Sequence, residues 1–75
     1  MKNGCILVRL KPGKVKESLE DIKKIEGIST AFLVFGRYDL VAFIETDDLE
    51  ELFDISIKMN SLDGVESTET LPEAP

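Results

Sequence analysis

Between Phe32 and Glu45 the sequence reads FLVFGRYDLVAFIE: two apolar runs rich in β-branched and aromatic residues, parted by Gly36-Arg37-Tyr38-Asp39. Such runs favour extended backbone, and a short polar interruption predicts an antiparallel hairpin. Side chains alternate across a strand. Here Thr30, Phe32 and Val34 would oppose Ala31, Leu33 and Phe35, and Leu40, Ala42 and Ile44 would oppose Val41 and Phe43. Apolar side chains therefore stand on both faces of the hairpin, whereas a sheet with one solvated face shows a clean alternation. The chain has 75 residues with which to cover them.

The rest of the sequence supplies two more strands and two helices. Ile6 to Leu10 is apolar and β-branched, a strand from about Gly4 to Lys11 broken by Pro12-Gly13. Val15, Leu19, Ile22 and Ile25 recur at helical spacing among charged residues, and Gly27 supplies a stop. The second and third strands are predicted at Ile28 to Phe35 and Leu40 to Thr46. Asp47 with Glu50 reads as a capping pair that opens a second helix. Leu49, Leu52, Phe53 and Met59 line its inner side, while Ile55 and Ile57 widen its apolar stripe past one face. Asp63-Gly64 is a turn signal before a last strand, Val65 to Leu71, with Pro72 and Pro75 behind it.

The order βαββαβ with right-handed crossovers on one sheet gives an α+β, ferredoxin-like fold: a four-stranded antiparallel sheet with both helices on one face. A single domain over residues 1–75 is expected. Two helices can shield one side of that sheet only. Burying a large apolar side chain contributes roughly 1.5–3 kcal/mol. Four or five left wet would forfeit an amount comparable with the ~5–15 kcal/mol stability of a whole domain. The expected remedy is a second copy laid sheet to sheet across a two-fold axis, a dimer through the helix-free face.

Composition narrows the function. A net charge of −6, with nine basic against fifteen acidic residues, argues against nucleic acid as a direct partner. The lysines near the first helix are interleaved with Glu17, Glu20 and Asp21, as on a solvated helix face. No run approaches a membrane span, no signal peptide is visible, and the one cysteine, Cys5, reads as a small hydrophobe of a reduced, cytoplasmic protein. There is no histidine to serve as general base or metal ligand, and the acidic run from Glu45 to Asp54 lacks calcium-loop spacing. The expectation is a non-enzymatic module with no cofactor. A small cofactor-free dimeric α+β-barrel enzyme, using Glu45 or Tyr38, is the alternative; an RNA-binding module of the same topology lacks the basic and aromatic run it needs.

At the hairpin tip, Gly36 can take positive φ, Asp39 can accept backbone N–H groups, Tyr38 presents an amphipathic ring and Arg37 a planar donor fork. Chemistry alone is equally served by a plain loop with a solvated arginine. Four segments in order add to this: VRLKPGK, VFGRYDLVAFIE, TDDLEELFD and LDGVESTET. In these the chain resembles the effector-binding (RAM) domain of the Lrp/AsnC transcription regulators over nearly its whole length.

The resemblance implies dimers through the helix-free sheet faces, assembly into octamers or other rings, and binding of an amino acid or related small effector at contacts between subunits or dimers. It implies ligand-binding roles for Gly36, Arg37, Tyr38 and Asp39 in the hairpin and for Thr68 and Thr70 in the last strand. For the two threonines, ordinary β-branched filling of a strand serves as well. The helix-turn-helix domain of full regulators has no counterpart in this sequence. The resemblance is therefore to a stand-alone form, a sensor acting in transcription regulation by co-assembly with full-length relatives or by changing its own assembly.

Overall fold

The computed structural model describes residues 2–74. The elements are β1 (Lys2–Leu10), α1 (Val15–Lys23), β2 (Ile28–Leu33), β3 (Leu40–Thr46), α2 (Leu49–Asn60) and β4 (Val65–Pro72). They form one antiparallel sheet in the order β2-β3-β1-β4, the ferredoxin-like arrangement. Pairing places Leu7 opposite Val41 and Cys5 opposite Phe43, with β4 on the far side of β1 setting Glu69 against Leu7 and Leu71 against Cys5. A bulge between Arg9 and Leu10 shifts the β1–β4 register at the end nearest α1.

The register settles the phase of the strands, which two apolar faces left open. Ile6, Val8 and Leu10 of β1, Ala31 of β2 and Leu40, Ala42 and Ile44 of β3 point to the helices and are buried. Ile22 of α1 and Leu52, Ile55 and Met59 of α2 close this core from above. Close approach is needed at two points. A Cβ on Gly64 would overlap Ser18 Oγ and stand 2.8 Å from Lys14 Cβ, so only glycine lets the turn before β4 lie against α1. Gly27, at φ +102°, both ends the α1 turn and leaves room for Ile55 Cδ1, which a Cβ would meet at 2.5 Å.

Among the described residues no helix lies on the other sheet face. Phe32, Phe43 and Leu71 keep 46, 42 and 43% of their surface exposed there, beside half-buried Cys5, Leu7 and Val41. Phe32 and Phe43 pack ring against ring, tilted by 36° with centroids 6.1 Å apart. Burial by its neighbours holds the Cys5 thiol above its ordinary pKa, in keeping with a small hydrophobe.

Two local expectations are corrected. The α2 cap is one residue later than Asp47: Asp48 Oδ1 accepts the Glu51 N–H at 2.8 Å, and Glu51 Oε2 accepts the Asp47 N–H at 3.4 Å. Thr46 is still paired to Lys2 in β3, and its hydroxyl donates to the Asp48 carbonyl, so the turn into the helix begins a residue further on. Strand β2 stops at Leu33 rather than Phe35, because Val34 N–H closes the hairpin by donating to the Asp39 carbonyl at 3.0 Å. Phe35, past that closure, is fully exposed.

Candidate functional site

The loop between β2 and β3 has a fixed base and a free crest. At the base, Asp39 N–H donates to the Val8 carbonyl at 2.8 Å, one position beyond the last β1–β3 pair. The Asp39 carboxylate then accepts the Leu10 N–H through Oδ2 at 2.8 Å. A side chain thus occupies the place a further strand residue would take, and satisfies a backbone donor of the central strand. At the crest, Phe35, Gly36 and Arg37 are exposed, and Gly36 takes φ +121° with open space where a Cβ would be.

Tyr38 leans back from the crest over the open sheet face. Its hydroxyl donates to Glu69 Oε1 on β4. That bond, which favours the neutral phenol, pushes the Tyr38 pKa above its ordinary value; burial and the Glu69 charge act in the same direction, and the nearby Arg37 and Arg9 charges oppose them.

The two threonines lie elsewhere. Thr68 and Thr70 sit opposite Val8 and Ile6, whose side chains face the helices. Thr68 Oγ1 accepts from Asn60 Nδ2 at 2.8 Å, and the Thr70 and Ser56 hydroxyls are 2.6 Å apart. Gly36, Arg37, Tyr38 and Asp39 are thus gathered at one end of the sheet, while Thr68 and Thr70 are on its opposite face, tied to α2. The residues that complete the hairpin's surroundings, Arg9 and Glu69, were not singled out from sequence. Strand alternation carried the signal: threonines facing the helix at 68 and 70 require Glu69 on the open side. Away from the hairpin, a groove of about 240 Å³ runs between Glu26 and the Glu51, Asp54, Ile55 and Lys58 side of α2. Among the described residues no cluster of histidine, cysteine or carboxylate side chains is arranged to hold a metal ion. Among the same residues no helix is long and apolar enough to cross a membrane.

Comparison with known proteins agrees with this architecture. The family described as Lrp/AsnC ligand binding domain matches residues 4–72. HTH-type transcriptional regulator FL11 of Pyrococcus abyssi is 36% identical over 66 residues, covering 88% of this chain and 44% of its own length. The chain therefore spans less than half the length of that curated relative. The crystal structure of TTHA0845 from Thermus thermophilus superimposes with a TM-score of 0.94 at 36% identity, over 100% of this chain and 95% of that one. Transcriptional regulator NMB0573 of Neisseria meningitidis, solved in complex with L-Met, shares the fold, with a TM-score of 0.83 at 15% identity over 99% of this chain and 50% of that one. The matched family and its curated relatives are transcription regulators, not enzymes. The chain belongs to the Lrp/AsnC ligand-binding domain family.

Proposed function

We propose that this domain is an amino-acid-sensing oligomerisation module of transcription regulation, binding its effector beside the β2–β3 hairpin where subunits meet. The observation that carries the reading is the juxtaposition of a firmly based, polar hairpin with an apolar sheet face that no element among the described residues covers. A second copy on that face, related by a two-fold axis, removes Phe32, Phe43 and Leu71 from water and brings its surface up to the hairpin margin. A ligand held at that margin changes the stability of the assembly by its differential affinity for the assembled and free forms. Dimers would build further into octamers or other rings, or co-assemble with full-length Lrp/AsnC relatives. The L-Met complex of the Neisseria fold relative supports a free amino acid as the class of effector.

Light scattering over a concentration series, with and without each proteinogenic amino acid, tests assembly and sensing together. The expected outcome is a dimer or larger species whose size or stability shifts with one or a few amino acids. A well-folded monomer at high concentration, indifferent to every amino acid, would reject the proposal.

A further inference from the structure

At the crest of the β2–β3 loop an aromatic ring and a cation stand clear of their own chain. Phe35 is fully exposed, Arg37 is exposed two residues on, and Gly36 between them takes φ +121°. Among the described residues the ion pairs join Lys14 to Glu17 and to Asp63, so Arg37 is not paired with a carboxylate. The loop beneath is held. Val34 N–H donates to the Asp39 carbonyl, Asp39 N–H donates to the Val8 carbonyl, and the Asp39 carboxylate accepts the Leu10 N–H. A crest on so fixed a base has little freedom left to lose when a partner grips it. Aromatic and arginine side chains are also enriched among the anchors of protein contacts.

The groove between α2 and the turn that follows α1 has the complementary chemistry. Ile55, buried in the core, forms its floor, and Glu26, Glu51, Asp54 and Lys58 line its sides. Three carboxylates against one ammonium leave it net negative, and none of the four takes part in the ion pairs of the described residues. Its volume of about 240 Å³ exceeds the ~150 Å³ of a cavity that admits benzene. Crest and groove lie at opposite ends of β2, the crest after Leu33 and Glu26 before Ile28. The strand between them spans roughly 17 Å of extended chain. A chain's own crest therefore cannot fill its own groove.

We infer that the hairpin crest of one copy docks in the α1–α2 groove of another, with Phe35 over Ile55 and the Arg37 guanidinium on the Glu26, Glu51 and Asp54 carboxylates. The inference rests on the sheet-paired dimer proposed above and names the surfaces by which such dimers meet. Both surfaces stay open when sheet faces pair, because the groove lies on the helix side and the crest beyond the strand ends. The planar guanidinium fork matches a carboxylate and gives the ring beside it one direction of entry. The contact joins unlike surfaces, so successive dimers close into a ring or run on as a filament. One ring and one ion-paired arginine hold single chains weakly. A dimer offers two crests and two grooves, and the contact gains strength by acting in pairs.

Sedimentation velocity of the intact chain over a concentration series, with and without a mixture of the proteinogenic amino acids, makes the test. The expected result is a species heavier than a dimer. Phe35→Ala and Arg37→Glu should each weaken association between dimers about tenfold or more, leaving dimers with an unchanged circular dichroism spectrum. Glu26→Lys with Asp54→Lys should do the same from the groove side. Adding Arg37→Glu to that pair should bring the heavier species back, a non-additivity that only direct contact between crest and groove produces. Heavier species that persist in both Phe35→Ala and Arg37→Glu would overturn the inference. So would a combined charge exchange that folds but restores nothing. A parent protein that stays dimeric at every concentration would overturn it too, leaving the sheet contact intact and the groove to a partner of another kind. A parent that stays monomeric would remove the sheet-paired dimer itself, and the inference with it.

Discussion

At the scale of the residue, Tyr38 is the side chain whose state can be read most directly. It is the sole tyrosine in a chain without tryptophan, so ultraviolet absorbance follows the ionisation of one phenol. Its pKa is raised in the fold, chiefly by the bond to Glu69. For a group raised in this way the stabilisation is complete below the unfolded value, near pH ~10, and disappears as pH climbs through the folded value. An absorbance titration should show a midpoint above that of an unfolded control, with the hairpin loosening across the same alkaline window. Glu69→Gln should return the midpoint toward the ordinary phenol value. A midpoint unmoved by that substitution would mean that the Tyr38–Glu69 bond is not made in solution.

At the scale of the element, α2 depends on its cap. Asp48→Ala removes the acceptor for the Glu51 N–H and should cost about 1 kcal/mol. For a domain of this size that is roughly 4–8 °C in melting temperature. Asp47→Ala leaves the cap in place and should cost a small fraction of this; comparative thermal melts decide between the two aspartates. The same segment shows how far the sequence could be read. The periods of Val15–Ile25 and Leu49–Met59, and the β-branched runs, marked every helix and strand. The exact cap was not legible because Thr46, Asp47 and Asp48 are all competent cap residues; the pairing of Thr46 with Lys2 removes the first, and the Glu51 N–H bond to Asp48 chooses between the aspartates. Likewise Val34 and Phe35 look like strand by composition, but the closing bond from Val34 to Asp39 ends β2 first. The hairpin half of the candidate site could be found from its turn chemistry. The side of the sheet on which Thr68, Thr70 and Glu69 fall depended on register, which strands apolar on both faces do not reveal.

At the scale of the whole molecule, the assembly proposed above rests on the uncovered face. Phe43 lies on β3 in the middle of that face, packed on Phe32, and keeps 42% of its surface exposed. Phe43→Glu would set a charge at the centre of an apolar contact, where an unpaired carboxylate is strongly disfavoured. The substitution should shift the protein to monomer in sedimentation equilibrium. Because Phe43 makes no part of the helix-covered core, far-UV circular dichroism should keep its native shape while the melting temperature loses its concentration dependence. An unchanged mass at equal concentration would show that subunits meet through some other surface.

The way Asp39 substitutes for a strand residue has a consequence for how this fold could diversify. If the hairpin holds the effector as proposed, structural duty and chemical choice fall on different atoms of one short loop. Asp39 is bound to the backbone of β1, while Phe35, Gly36 and Arg37 project into solvent with little else depending on them. Substitutions at the projecting positions can therefore be tried by drift or by design at small risk to folding. Sister proteins could acquire new ligand preferences there without first evolving a sturdier scaffold.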